Sequence, residues 1–195
     1  MLAAVILSGG ASRRMGSPKA LLAYQGRPFL EHLLEVTVHP RIGVRRVVLG
    51  AHAEPIAKAV SLRGDEMVVN ADWKAGQLSS IQAGIRALPA GTDGMLLCLI
   101  DHPLISAGLV DELIGKFYET GAPIVLPVYR GRRGHPVIFG AGVYGELLAA
   151  PLDVGARAVV WGHKKEICEY VTNEEGCVLN LNDAETFGRV LGPSM

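Results

Sequence analysis

Cysteine is scarce in this chain. The three that occur, at positions 98, 168 and 177, are odd in number and form no C-x-x-C pair. That excludes a disulfide framework and a cysteine-based zinc site, and it predicts a reducing, cytoplasmic setting. A surplus of either charge is also missing. Nineteen Lys and Arg are matched by nineteen Asp and Glu, so no basic field is available for nucleic acid and no polybasic anchor for a membrane surface. No apolar run approaches the ~20 residues of a membrane span. The apolar stretch 1–7 lacks the basic flank and cleavage pattern of a signal peptide. Repeats, linkers and low-complexity tracts are absent, which predicts one domain over residues 1–195. Several catalytic signatures fail as well. His52-Ala53-Glu54 has the H-x-E of zinc deaminases, but no P-C-x-x-C follows. There is no G-x-S-x-G nucleophile elbow and no H-E-x-x-H.

What the chain does have is apolar material, 49% of its residues, and a regular alternation of strand-like and helix-like segments. Strands are expected at 2–8, 44–49, 66–70, 94–100, 122–128 and 137–139, with an edge strand at 167–171. Helices are expected from Pro28, around 55–62, at 78–88, 109–118, near 142–150 and 155–163, and at 184–191. The run Met95-Leu96-Leu97-Cys98-Leu99-Ile100 is apolar at every position, as in strands covered on both faces of a mostly parallel sheet. The expectation is an α/β fold with a single doubly wound, mostly parallel sheet.

The most telling stretch lies between the first strand and Lys19. Gly9, Gly10 and Gly16 let the backbone come close to a ligand, and Arg13, Arg14 and Lys19 add three cations to the same loop. Glycines, free N–H groups and cations after a strand suit a polyphosphate. The loop is not a P-loop, since no Gly-Lys-Ser/Thr closes it, and it lacks the G-x-G-x-x-G of dinucleotide folds. Ligands of doubly wound sheets bind beyond the carboxyl ends of the strands. Residues 8–19, the segment after Asn70 and Asp101 all fall at such ends.

The pattern L-x-x-G-x-x-x-R-M-G-x-x-K, read at Leu7, Gly10, Arg14, Met15, Gly16 and Lys19, resembles the opening signature of nucleotidyltransferases of the molybdenum-cofactor type. These enzymes join CMP or GMP to molybdopterin, and sugar-nucleotide pyrophosphorylases are more distant kin. The resemblance implies a Rossmann-like nucleotide-diphospho-sugar transferase fold. It also implies nucleotide contacts from Leu7, Ser8, Gly9, Gly10, Arg14 and Lys19. Asn70-Ala71-Asp72-Trp73-Lys74-Ala75-Gly76-Gln77-Leu78-Ser79-Ser80 resembles the N-x-x-W-x-x-G-x-x-S-S segment of that family, which adds Asn70, Gly76, Ser79 and Ser80 to the nucleotide side. The two serines equally suit an ordinary helix N-cap, and Trp73 suits a packing anchor.

Asp101-His102-Pro103 resembles the acidic turn whose aspartate holds Mg²⁺ in the family. A hard ion of this kind keeps several waters and needs only one or two protein ligands. An Asx turn into Pro103 would also account for the aspartate. Gly131-Arg132-Arg133-Gly134-His135-Pro136-Val137 resembles the G-x-x-G-H/N-P-V element that borders the acceptor, which implies acceptor contacts from Arg133, Gly134 and His135. A solvated basic hairpin tip is the alternative. Asp153-Val154-Gly155-Ala156-Arg157 resembles G-D-x-G-A-R, with Leu152 replacing the first glycine, and adds Asp153 and Arg157 to the acceptor side. Asn180-Leu181-Asn182-Asp183 resembles a closing acidic element. Here asparagine stands at both acidic positions, and Asn182 falls where related pyrophosphorylases complete the Mg²⁺ site. An amide oxygen ligates Mg²⁺ without bringing charge.

The resemblance therefore implies Mg²⁺-dependent transfer of a nucleoside monophosphate from an NTP to a phosphate-bearing acceptor, with Arg14, Lys19 and Asp101 catalytic and Asp101 and Asn182 on the metal. Pro18-Lys19 and Gly134-His135-Pro136 look like the cytidylyltransferase branch, and Gly9-Gly10 like the guanylyltransferase branch. CTP and molybdopterin are the favoured pair. A molybdoenzyme client or chaperone is an implied partner. A sugar-phosphate nucleotidyltransferase and a non-catalytic cofactor-binding relative are the other readings.

Overall fold

The computed structural model of the chain describes residues 1–12, 16–182, 186 and 188. In chain order the elements are β1 (Leu2–Ser8), the hairpin pair β2 (Ala23–Tyr24) and β3 (Arg27–Pro28), α1 (Phe29–Val36), β4 (Ile42–Leu49), α2 (Ala53–Val60), β5 (Met67–Val69), α3 (Gln77–Arg86), β6 (Gly94–Leu99), α4 (Ala107–Thr120), β7 (Ile124–Tyr129), β8 (Arg132–Arg133), β9 (Val137–Gly140), α5 (Tyr144–Ala149), α6 (Arg157–Gly162) and β10 (Ile167–Val171). The helix expected at 184–191 lies largely outside the described residues. Among the described residues no helix is long and apolar enough to cross a membrane.

The sheet runs β10-β7-β9-β6-β1-β4-β5, with β8 on the flank of β7. β1 sits between β4 and β6 and is parallel to both. β5 and β10 continue the parallel pattern at the two edges. Within this sheet, among the described residues, β9 and β8 run against their neighbours.

β1 is buried at all seven positions, and its side chains divide by parity. Leu2 and Ile6 join α1, α2 and α4 on one face, through Leu30, Leu33, Ile56, Val110 and Leu113. Val5 and Leu7 join α3, α5 and α6 on the other, through Leu78, Ile81, Leu147 and Val159. Period-two alternation between two helical layers makes both faces of a central strand apolar. Each fully buried aliphatic side chain contributes roughly 1.5–3 kcal/mol. Strand ends, by contrast, run out of neighbours to pack against. The carboxyl ends of β1 and β6 therefore open into a cleft.

Four expectations shift in detail. α4 starts two residues ahead of the expected boundary because Ser106 caps it, its Oγ accepting from Leu109 N at 3.1 Å. Pro28 precedes α1 as its cap, with extended geometry, rather than forming its first turn. Residues 23–28 fold into a small hairpin that no apolar alternation announces. The basic excursion after β7 contributes a strand of its own, Arg132–Arg133, paired back onto Val128 and Tyr129.

Candidate active site

The chain leaves β1 at Ser8 and turns at once between two neighbours. The Gly9 carbonyl accepts from Ala51 N at 3.2 Å. A Cβ on Gly50 would lie 2.3 Å from the Gly9 oxygen, and a Cβ on Gly9 would lie 2.9 Å from Ser80 Oγ. Both glycines are therefore demanded by crowding at the base of the loop. Further out, His52 Nε2 lies 3.0 Å from the Ala11 carbonyl, and Lys19 N donates to Ser12 Oγ at 3.1 Å. The histidine of the abandoned H-x-E motif thus fixes this loop. Arg13, Arg14 and Met15 lie outside the described residues, and with them the expected role of Arg14.

Lys19 begins a short 3₁₀ turn that points its ammonium back over the strand ends. Its Nζ is 3.9 Å from Asp101 Oδ2, with the two side chains only 15% and 21% exposed, and it donates to Asn182 Oδ1. Asp101 reaches this position because β6 ends beside β1, with Ile100 N donating to the Leu7 carbonyl at 3.1 Å. Asn182 reaches it because Leu181 N donates to the Asp101 carbonyl at 2.8 Å. Two hard oxygen donors thus converge on one cation, here the lysine's own. Such a donor set suits Mg²⁺ or a similar ion that keeps water and phosphate oxygens in its remaining positions. Among the described residues no three His, Cys, Asp or Glu gather into an all-protein metal cage.

The segment after β5 supplies the facing wall. Asn70 Nδ2 donates to Ser79 Oγ at 2.9 Å and to Ser80 Oγ at 3.0 Å, and Asn70 Oδ1 accepts from Asp72 N at 3.0 Å. Ser79 Oγ in turn faces the carbonyls of Asp72 and Gly76 at 3.0 and 2.8 Å. Asn70 and Ser79 are buried behind the wall and shape the 71–77 loop. Neither Asn70 nor Ser79 is among the residues lining the cleft, so the structure does not bring these two onto its surface with the others. Ser80, one helical step on, does face the cleft. Gly76 caps α3 with φ +102°, a left-sided conformation that favours glycine and turns the N-terminus of α3 toward the cleft.

The resulting cleft has a volume of about 640 Å³, and Ser8–Ser12, Lys19, Trp73, Ser80, Asp101 and Asn182 are among the residues lining it. That is within the range of small-molecule sites. Leu7 and Gly76 line it too, as do Lys74 and Gln77, which the motif reading missed. Both occupy variable positions of the N-x-x-W-x-x-G-x-x-S-S spacing, so only their location at the mouth of α3 reveals them. The Lys74 ammonium also lies 5.6 Å from the centre of the Trp73 ring.

The expected acceptor residues sit elsewhere. Arg133 is paired with Glu169 at 2.6 Å. Asp153 and Arg157 are exposed around the turn that starts α6, and none of the three lines the cleft. Gly134 is buried against Cys177. The His135 ring lies 4.9 Å from that of His102, and burial, reinforced by the neighbouring imidazole, pushes its pKa down to about 4. His135 is therefore a neutral, enclosed side chain behind Asp101.

Residues 4–167 match the MobA-like NTP transferase domain. The nicotine blue oxidoreductase of Paenarthrobacter nicotinovorans is 33% identical over 165 residues, covering 78% of each chain. A probable molybdenum cofactor guanylyltransferase of Mycobacterium ulcerans is 34% identical over 133 residues. That alignment covers 65% of this chain and 61% of the relative, so the chain spans less than two-thirds of that relative's length. Among solved structures, Rv0371c of Mycobacterium tuberculosis superposes with a TM-score of 0.82 at 25% identity, covering all of both chains. Its manganese complex superposes at 0.78 with 23% identity, covering 99% of each. The matched residues run from β1 to the start of β10 and include most of the glycine-lined cleft, and the chain belongs to the MobA-like NTP transferase domain family.

Proposed function

We propose that this protein transfers a nucleoside monophosphate from an NTP to the phosphate of a small acceptor of the molybdopterin class, releasing pyrophosphate. One observation carries the reading: the Lys19 ammonium, the Asp101 carboxylate and the Asn182 amide oxygen meet in one cleft, which the glycine-containing loop of residues 8–12 also lines. The acceptor's phosphate oxygen attacks the α-phosphorus. The bond from that phosphorus to the bridging oxygen breaks, and pyrophosphate leaves with the electron pair. An anionic nucleophile needs little help from a base, so the protein's task is to position the reactants and neutralise charge. Lys19, with Arg14 proposed beside it, stabilises the α-phosphate and the departing group. The backbone of residues 9–12 and the N-terminus of α3 hold the remaining phosphate oxygens. A divalent ion, Mg²⁺ foremost, would be held by Asp101 and Asn182 and would supply further neutralisation of the phosphates. Asp153 and Arg157 remain proposed acceptor contacts, reached by an acceptor that extends beyond the cleft.

GTP is placed first among the nucleotides. Guanylyltransferases recur among the named relatives, and Gly9-Gly10 resembles that branch. This reverses the expectation of CTP, which becomes the second nucleotide and is supported by Pro18-Lys19 and Gly134-His135-Pro136. The similarity to nicotine blue oxidoreductase favours a different second activity, reduction of a small organic substrate. The deciding experiment incubates the protein with each NTP in turn, Mg²⁺ and molybdopterin, and reads pyrophosphate. Release with GTP supports the proposal in full, and release with CTP alone moves the nucleotide assignment. No pyrophosphate with any NTP, together with consumption of a reduced nicotinamide, would overturn the transferase reading.

A further inference from the structure

Residues 174–182 cross the back of the cleft as a strap tied at four points along its length. The Glu174 carboxylate accepts from Ser106 N and Ser106 Oγ, both at 2.6 Å. Gly176 is pressed so closely on the turn after Asp101 that a Cβ would lie 2.0 Å from the Leu104 oxygen. The Cys177 carbonyl accepts from His135 N at 2.8 Å, and a Cβ on Gly134 would lie 2.5 Å from the same oxygen. Leu181 N then donates to the Asp101 carbonyl at 2.8 Å, and Asn182 emerges at Lys19.

The third tie depends on an irregularity in the sheet. Opposite β7, Val125 pairs with Ile138 and Val128 with Arg133. Three steps along β7 thus face five along the returning chain, and the two surplus residues bulge at 134–136. A bulge turns backbone groups away from the ladder. Here the freed His135 N–H points at Cys177, while the His135 ring packs on His102, the residue after Asp101.

We propose that Gly134 and His135 are positioning residues, anchoring the strap so that the Asn182 amide is held opposite Asp101. They act on the polyphosphate side of the cleft through the strap, with no contact to the acceptor. The inference rests on the reading of Asn182 as a group that serves the ion, and the test separates the two.

The test uses the full chain carrying Cys168→Ser, so that Cys177 reports on the strap. This thiol is buried, and its burial pushes the pKa up to about 11, so an aromatic disulfide reagent labels it slowly while the strap is seated. Gly134→Ala and Gly176→Ala should each speed that labelling. Each should also weaken Mn²⁺ binding, read from the paramagnetic resonance of the free ion, by about 10–100-fold, the range for loss of a group that orients a metal ligand. Asn182→Ala should weaken Mn²⁺ similarly without exposing Cys177, and the acceptor KM should hold in all three. Glu174→Ala, which opens only the exposed clasp at Ser106, should shift both readouts the same way by less, and it serves if a glycine variant fails to fold. A raised acceptor KM with Cys177 protected and Mn²⁺ binding intact would overturn the proposal. If Asn182→Ala leaves Mn²⁺ binding unchanged, the ion-binding reading of Asn182 falls, and Cys177 labelling then decides the anchor.

Discussion

At Lys19 one ammonium lies within reach of the two oxygen donors proposed for a divalent ion, and this has opposite consequences for catalysis and for metal binding. Lys19→Ala and Asp101→Ala should each lower pyrophosphate release by about 10²–10³, by analogy with loss of one preorganised charge-stabilising donor, while folding normally by circular dichroism. Near-full activity in both would refute the assignment. Lys19→Met should nevertheless bind Mn²⁺ more tightly than the parent in the absence of nucleotide, because the ammonium no longer competes for Asp101 and Asn182. His135 sets a pH effect of its own. Its pKa, lowered by burial from 6.5 to about 4, means that the unfolded chain takes up a proton below pH 6.5 that the folded chain refuses. Stability should therefore fall as pH drops from 6.5 toward 4, by at most about 1.4 kcal/mol per pH unit from this residue. His135→Asn should flatten that slope in urea titrations. That Lys19 and Asp101 share one cleft was legible in the sequence, because both follow strands expected in one mostly parallel sheet and both fall at carboxyl ends. The bracing role of Asn70 and Ser79 was not legible, because the residue types that bind phosphate also brace loops and a sequence does not show their hydrogen-bond partners.

α3 is where a local preference and the packing disagree. Gly84 sits mid-helix, where glycine costs about 1 kcal/mol relative to alanine. A Cβ there would lie 2.8 Å from Val5 Cγ1 and 3.3 Å from Val48 Cγ2, so the missing side chain lets the helix settle onto β1 and β4. Gly84→Val should destabilise the fold by about 1–3 kcal/mol through overpacking, seen as a lower denaturant midpoint, and an unchanged midpoint would contradict this packing. Apolar periodicity made the main strands and the amphipathic helices readable to within a few residues. It missed β8, because Arg132–Arg133 has no apolar alternation and is held by backbone pairing onto β7 and by the Arg133–Glu169 ion pair. It also missed the bulge at 134–136, because register is a property of two strands and only one of them is in view at a time.

The three layers of the molecule exist to place strand ends, and binding at those ends should be felt throughout. A ligand that binds only the folded chain stabilises it by about 2.7 kcal/mol at one hundred times its dissociation constant. GTP with Mg²⁺ should therefore raise the melting temperature of the parent protein and leave that of Asp101→Ala nearly unmoved. An equal rise in both would place the nucleotide elsewhere. The alternation of segments pointed to the α/β class and the mostly parallel sheet, but the reversed β9 at its heart was not legible, since direction follows from how the chain returns and not from what it contains. The contact of Asn182 with Lys19 joins groups 163 positions apart. Every strand of the sheet precedes Asn182 in the chain, so the last of the three converging groups to be synthesised is the one that closes on the first loop.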